Sequence, residues 1–359
     1  MSMSNSKYLL HSALLLIAVF LSSLTACRST RPAAPTVAST TTPPVKDTLI
    51  AMSYNVENFF DPEDDPNKRD EDFTPDGSYH WTVSRMEKKA ERLARVIACA
   101  NGSNRPAVIG LCEVEGESAV KVLAKTTGLT GNASPYRHLC YPTPDGRGVA
   151  VAMLYDELKL ELLNSLPIYV SIPDSNLVTR DVLYARFRVR STADTVHVMV
   201  NHWPSMYGGA SASVWKRDYV ATRVRHVCDT ILAADHDAKI VILGDFNTTA
   251  DSPSISDVLG AKVKDNTSTL RNLSADTKDC SYRYRGEWQT IDHIIVSSAL
   301  CRIARPVFSV VKFDFLLEED DRYPGLKPCR TYLGRRFNPG PDNNGGYSDH
   351  LPVMVKILL

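Results

Sequence analysis

The sequence predicts an α/β domain in which β-sheets pack on each other with helices outside. Two observations predict it. Apolar strand patterns alternate with helical patterns from residue 47 to 359, and no linker interrupts them. Strand after strand also terminates in a polar or acidic residue, which asks for one shared rim.

The elements follow in order. Leu49–Asn55 reads as a buried strand with a polar end, and the Asp- and Pro-dense residues 61–80 read as a long loop. Trp81–Ala100 carries apolar or Ala positions at helical spacing. Ala107–Glu113 is a short apolar strand, Ser118–Thr127 a helix and Val149–Tyr155 a strand. Leu183–Arg190 alternates as a half-buried strand does, with Thr195–Asn201 as its hairpin partner. Ser213–Ala233 places Val220, Val224, Val227 and Ile231 on one helical stripe. Lys239–Leu243, Ser281–Tyr284, Ile291–Val296 and Leu351–Leu358 complete the strands.

Composition limits the function classes. Apolar residues make up 43% and charged residues 23%, as in an ordinary soluble protein. Lys+Arg and Asp+Glu are each 41, so no global basic field draws the chain to nucleic acid unselectively. A local basic patch remains open.

The start of the chain reads as an export signal. Lys7 precedes the apolar run Leu9–Leu21, which is too short and wrongly flanked for a stable transmembrane helix. The alternative is an uncleaved N-terminal anchor. Leu24-Thr25-Ala26-Cys27 resembles the bacterial lipoprotein cleavage box, which implies a signal peptide over 1–26 and lipid on Cys27. Residues 27–46, rich in Pro and Thr, read as a flexible tether. The implied location is exported and membrane-anchored, facing the periplasm or the cell surface; Arg28 after Cys27 is compatible with an outer membrane.

Eight cysteines show no CxxC or Cys/His spacing, which argues against zinc. Cys99, Cys112 and Cys228 sit in apolar runs and read as core residues. An exported location would allow a disulfide among Cys280, Cys301 and Cys329.

The polar strand ends carry the functional argument. A buried strand gains nothing from a terminal carboxylate unless it is paired or ligated, because desolvating a charge is costly. Ser53-Tyr54-Asn55-Val56-Glu57, Leu111-Cys112-Glu113-Val114-Glu115, Asn201-His202-Trp203-Pro204-Ser205, Gly244-Asp245-Phe246-Asn247, Ile291-Asp292-His293 and Ser348-Asp349-His350 follow one another along the chain. Together they resemble the successive motifs of the endonuclease/exonuclease/phosphatase (DNase I-like) superfamily. Any one is weak; the ordered set is specific. The resemblance implies a four-layer α-β-β-α sandwich of two packed mixed β-sheets.

It also implies roles. Glu113 would be the main metal ligand, with Asn55 and Asp349 close by and Glu57 acting through water. For Asn55, a hydrogen bond to Glu113 is as good a reading as ligation. Oxygen donors of this kind suit Mg²⁺ or Mn²⁺. Asp245 would activate the attacking water, and Asn247 would hold that water or a phosphate oxygen. His350, oriented by Asp292, would bind the scissile phosphate as an imidazolium, and His202 would be a second phosphate ligand or the leaving-group acid.

Two further features stay open. The basic, aromatic stretch 322–338, with Arg322, Lys327, Arg330, Arg335 and Arg336, either grips substrate phosphate or is a solvated loop; Arg330 and Arg335 are the binding candidates. Arg147 in Asp145-Gly146-Arg147-Gly148 either lies near the site or belongs to a plain turn. The expected partners are a phosphate-ester substrate, nucleic acid or a small phosphodiester, and the membrane; no protein partner is implied. The expected activity is metal-dependent, nuclease-like phosphodiester hydrolysis. Its rivals are a phosphomonoesterase or a lipid or inositol phosphate phosphatase, and a non-catalytic lipid-anchored binding protein on the same scaffold.

Overall fold

Two strand pairs run parallel at the centre of two mixed sheets, and their shared direction decides where the polar ends go. The computed structural model describes residues 48–359 apart from 103, 132, 133, 173, 174, 176, 263–267, 335 and 341–344. The expected signal peptide and tether, with Cys27, and Arg335 therefore lie outside the described residues. Strands and helices are numbered along the chain; three hairpins stand outside the two large sheets, β11 (Tyr282–Tyr284) with β12 (Glu287–Gln289), β15 (Leu317–Glu319) with β16 (Leu326–Pro328) and β17 (Tyr332–Leu333) with β18 (Arg336–Phe337).

The first sheet has the order β14 (Val307–Val310), β19 (Val353–Leu358), β1 (Thr48–Phe59), β2 (Val108–Glu115), β4 (Val149–Tyr155) and β3 (Arg137–Cys140). Its parallel pair is β1 with β2, where Asn55 faces Cys112. The second sheet has the order β5 (Leu160–Ile168), β6 (Val182–Val189), β7 (Thr195–His202), β8 (Lys239–Asp245), β13 (Asp292–Ser297), β10 (Leu270–Asn272) and β9 (Ala261–Lys262). Here β7 and β8 are parallel, and His202 faces Asp245. Strand β13 is antiparallel to β8 and starts where β8 ends, with Asp292 opposite Asp245.

Alternation along the strands builds the layers. Ala51 of β1, Val108 of β2, Val198 and Val200 of β7, Val241 and Leu243 of β8 and Ile294 of β13 form one apolar cluster between the sheets. The intervening Met52, Tyr54, Ile109 and Leu111 face the other way. They meet Met86, Ala90, Leu93 and Ile97 of α1 (Val83–Cys99) and Ala119 and Leu123 of α2 (Gly116–Gly131). Met199, Ile240, Ile242 and Ile295 likewise meet Val220, Val224 and Cys228 of α3 (Ala210–Ala234). The result is the expected four-layer sandwich.

The sheets approach closely. Gly110 sits on the inner face of β2, and a Cβ there would lie 2.1 Å from Leu243 Cδ1 and 2.9 Å from Val200 Cγ2.

Several expectations change. Strand β1 runs on past Asn55 to Phe59, with a shift of register between those two residues. The edge strand β5 has no sharp apolar alternation, and its Pro167 is tolerated because it lies at an edge. Cys99 is exposed at the end of α1 and does not belong to the core, whereas Cys112 and Cys228 are buried. The seven described cysteines are all free, Cys280, Cys301 and Cys329 included. Cys329 lies in the core outside the first sheet and Cys301 packs against the core between the sheets, so the fold separates them.

The closeness of the sheets is testable. Gly110→Ala forces Leu243 and Val200 apart and lowers unfolding stability by about 1–3 kcal/mol, the usual cost of overpacking. Urea unfolding measures it, and an unchanged midpoint would contradict the tight approach.

Candidate active site

The strand period of two aims the polar ends into the cleft between the sheets. Asp245 continues the inward set Val241 and Leu243, Asp292 begins the set Ile294 and Val296, and His202 continues Val198 and Val200. Asn55 follows Leu49 and Ala51 at the same spacing. Six residues named from the sequence therefore meet at one rim: Asn55, Glu113, His202, Asp245, Asp292 and His350.

Asn55 joins the two sheets. Its Nδ2 donates to Glu113 Oε1 at 3.2 Å and to Asp245 Oδ2 at 3.0 Å, and its Oδ1 accepts from Glu57 N at 3.0 Å. Glu113, with φ of 63°, sits where the register between β2 and β4 shifts, the kind of conformation stored at functional sites. Its Oε2 accepts from Asn58 N at 3.0 Å. Glu57, Asn58 and Asn247 also have positive φ. Gly244 has φ of 145°, and a Cβ there would lie 1.9 Å from Asn201 O, so the residue before Asp245 has room for no side chain.

Ser348 fixes the last motif. Its Oγ donates to Asn55 O at 2.7 Å and accepts from His350 N at 3.1 Å. His350 Nδ1 then meets Asp292 Oδ2 at 2.8 Å, and Ser281 Oγ donates to the same oxygen at 2.6 Å. His350 Nε2 and His202 Nε2 lie 3.9 and 3.7 Å from Asp245 Oδ2.

The electrostatics separate these groups. Burial opposes charge on His350, but the Asp292 carboxylate, helped by Asp245 and Asp349, outweighs it and holds the imidazole well above its usual range. His202 goes the other way: burial first, then Arg180 and Arg147, hold it well below that range. One histidine is an imidazolium and the other is neutral, which divides their proton roles. Burial pushes Asp245 up to about 7; His350 opposes this and Asp292 adds to it. Asp245 is thus poised to exchange a proton near neutrality.

The remaining residues named from the sequence are arranged as follows. Glu57 is buried, with Oε1 2.8 Å from Arg330 Nε and Nη2 and Oε2 2.5 Å from Thr331 N. Both its oxygens are occupied by protein groups. Burial, then Asp349, push it up to about 7 against Arg330 and Lys89. Arg330 also reaches Asp349 Oδ2 at 3.4 Å. Asn247 N donates to Asp245 Oδ1 at 2.8 Å, and its Nδ2 donates to Trp203 O at 3.0 Å.

The basic stretch divides. Arg330 belongs to the site, whereas Lys327 pairs with Asp321 at 2.9 Å and Tyr332 is buried, donating to Asn58 O. Arg147 sits in a turn whose Asp145 accepts its backbone N–H at 2.8 Å, and its charge is felt at His202.

Three contributors were not read from the sequence. Arg180 is 8% exposed, lies 3.4 Å from Asp145 and donates to Trp203 O at 3.0 Å, under His202. Tyr282 lies against His350 with ring centroids 4.6 Å apart. Lys89 is fully buried and donates to Glu57 O, and burial pushes its amine down to about 7. Lys89 had a signal: a lysine on the apolar stripe of a helix. Arg180 and Tyr282 had none, since both lie in polar stretches.

A hard cation fits one part of this rim. Glu113 and Asp349 are its part-exposed carboxylates, at 21% and 26%, and no Lys or Arg pairs with Glu113 among the described residues. Oxygen donors with negative charge left over suit a hard divalent ion. Asp245, Asp292 and His350 also bring ligand atoms within 4.8 Å of one another. His350 there already meets Asp292 through Nδ1 and is held protonated, so this trio suits proton handling.

Comparison with known proteins agrees with this geometry. A family described as "Endonuclease/Exonuclease/phosphatase family" matches residues 50–358. Among curated proteins there is no match. An endonuclease/exonuclease/phosphatase family protein from Bacteroides thetaiotaomicron is similar in structure, with TM-score 0.55, 12% identity, and 88% of this chain and 98% of that one covered. A mannosyl-6-phosphatase from the same organism has TM-score 0.53 at 15% identity, covering 87% and 100%. A humanized D. rerio TDP2 has TM-score 0.54 at 16% identity, covering 86% and 98%. At these identities the likeness is one of fold.

The Asp292–His350 pair can be tested without turnover. In Asp292→Asn the ring of His350 loses its countercharge and titrates at lower pH than in the wild type, as followed by NMR of the imidazole. An unmoved titration would show that Asp292 does not hold the charge.

Proposed function

The chain belongs to the endonuclease/exonuclease/phosphatase family, which makes it a phosphate-ester hydrolase, and from that premise we propose that it cleaves phosphodiesters by metal-assisted attack of water. One observation carries this reading. A base near neutrality, Asp245, and an imidazolium, His350, face each other across a single cleft, with Asn55 tying Asp245 to the open carboxylate Glu113.

The steps follow from the residues. Asp245 accepts a proton from water, and the resulting hydroxide oxygen forms a bond to phosphorus while the ester P–O bond breaks; the leaving oxygen departs with the bonding pair and takes up a proton from solvent. His350 donates Nε2–H to a phosphoryl oxygen, and Asp292 keeps that ring charged. Neutral His202 adds a hydrogen bond without adding charge, and Arg180 and Arg147 bring positive charge to its side of the rim. Glu113 and Asp349, with Asn55 close by, would hold Mg²⁺ or Mn²⁺. When bound, that ion supplies Lewis-acid stabilisation of the charge that develops on phosphorus-bound oxygen. Glu57 holds Arg330 through Nε and Nη2 beside Asp349, which keeps a part-exposed positive charge at the mouth for the substrate's free oxygens.

A phosphomonoester substrate is the second reading, and one observation favours it. Two cations of the basic stretch are countered within the protein: Lys327 pairs with Asp321 at 2.9 Å, and Arg330 with Glu57 at 2.8 Å and Asp349 at 3.4 Å. That lowers the charge this stretch offers a long polyanion, and a compact ester asks less of it.

Both readings meet in one assay. Bis(p-nitrophenyl) phosphate and p-nitrophenyl phosphate are offered with Mg²⁺, Mn²⁺ or EDTA. Turnover of the diester requires metal, stops in EDTA, and falls by about 10²–10³ in Glu113→Ala, the loss expected for one electrostatic stabiliser. Turnover of the monoester alone would select the second reading. Silence on both from folded protein would sink the catalytic reading.

We also place the protein outside the cytoplasm, anchored through lipid on Cys27. The apolar run and the cleavage box support this. Fatty-acid labelling of the wild type, lost in Cys27→Ser with release from membranes, is the expected outcome. Equal labelling of both proteins would rule the anchor out.

A further inference from the structure

The two sides of the cleft differ in charge. On one side Arg330 is countered by Glu57 at 2.8 Å and Asp349 at 3.4 Å. On the other side cations gather with little to balance them. The 143–148 turn leads into β4, whose first residue, Val149, pairs with Glu115, two positions beyond Glu113. The turn therefore borders the rim at the end of β2. Arg180 joins it to the end of β7: its Nη1 lies 3.4 Å from Asp145 Oδ2, and its Nη2 donates at 3.0 Å to the carbonyl of Trp203, the residue after His202.

The long loop after β1 brings two more cations. Arg69 N donates to Gly146 O at 2.8 Å, and its Nη2 would lie 3.2 Å from a Cβ on Gly146, so the guanidinium lies against the turn. Lys68 Nζ donates to Thr143 O at 2.7 Å and to Asp145 O at 3.1 Å, which leaves a third N–H free to donate. Arg147 Nε is 3.6 Å from Asp145 Oδ1. Arg69 and Arg147 are exposed, whereas Arg180 is 8% exposed and its buried Nε has no protein partner. Among the described residues Asp145 is the one carboxylate within ion-pair distance of any of these four cations. Four positive charges that share one carboxylate at the edge of a cleft repel one another and draw anions.

We propose that Lys68, Arg69 and Arg147, with Arg180 beside them, form a subsite for a second phosphate group of the substrate, on the His202 side of the cleft. The subsite rests on the phosphate-ester reading of the rim and narrows the kind of ester. Guanidinium groups offer forked N–H donors that match pairs of phosphate oxygens, and the ammonium adds a point charge. The bond from Arg69 N to Gly146 and the two bonds from Lys68 tie loop and turn together. The exposed guanidinium groups of Arg69 and Arg147 are thus held on one turn before substrate arrives, which lowers the ordering cost of binding. An ester with one phosphate gains nothing from them.

The test reads binding without turnover, so silence on both p-nitrophenyl esters would sink the catalytic reading separately. The full chain in EDTA is titrated with inorganic phosphate and with tripolyphosphate by calorimetry at low ionic strength. Tripolyphosphate binds the wild type about tenfold more tightly than phosphate, and this advantage falls roughly fivefold in Arg69→Gln and in Arg147→Gln. It persists in Arg302→Gln, whose side chain belongs to the helix Ser298–Ala304 beyond the far end of β13. Arg69 and Arg147 are exposed, so both variants keep the fold, as circular dichroism checks. Equal affinities for the two anions in the wild type overturn the proposal. So does an advantage that survives both Arg69→Gln and Arg147→Gln, or one that falls as far in Arg302→Gln. A thymidylate trimer separates the sources of the second phosphate. The same dependence on Arg69 with the trimer makes it the next link of a nucleic-acid chain; dependence with tripolyphosphate alone makes it a second group on a compact ester.

Discussion

Everything at the rim depends on the parallel pairing at the centre of each sheet. Parallel strands end at the same edge, so β1 with β2, and β7 with β8, deliver Asn55, Glu113, His202 and Asp245 to one side. Antiparallel β13 and β19 begin at that side and add Asp292 and His350. The period of two then turns these side chains inward, into the cleft between the inner faces. Gly110 lets the faces approach closely enough for the amide of Asn55 to touch carboxylates of both sheets.

Close approach makes the chemistry as well as the shape. Buried carboxylates resist ionisation, and a buried imidazole resists protonation, unless each finds a partner. Asp292 supplies that partner to His350 at Nδ1, whereas His202 Nδ1 has no hydrogen-bond partner among the described residues, and burial with Arg180 and Arg147 holds that ring below its usual range. Two residues of the same type are thereby shifted in opposite directions within one cleft. Asp245 lies between them, held by the Asn55 amide and the Asn247 backbone N–H. Its carboxylate is kept near the pH at which a base works best.

A second layer holds these groups in place. Lys89 reaches from α1 to the carbonyl of Glu57, Glu57 holds Arg330, and Arg330 reaches Asp349. Arg180 does the same on the other side, between Asp145 and the carbonyl of Trp203. Glu57, Asn58, Glu113 and Asn247 adopt left-handed backbone conformations that only such over-determined surroundings sustain.

The sequence by itself determined the sheets, the helices and the rim motifs. Apolar alternation, helical spacing and the polar strand ends are local patterns, and each is written in consecutive residues. The register slip that carries β1 on to Phe59 left no such pattern, and neither did the edge strand β5. Contacts between distant segments were equally out of reach. Glu57 reads as acting on a metal through water by its place in a motif, and the structure adds that Arg330, 273 positions away, hydrogen-bonds its carboxylate. The charge states of His202 and His350 depend on burial and on neighbours from other strands. Only the tertiary structure decided these, because desolvation and Coulomb energy depend on distance in space, which the order of residues does not contain.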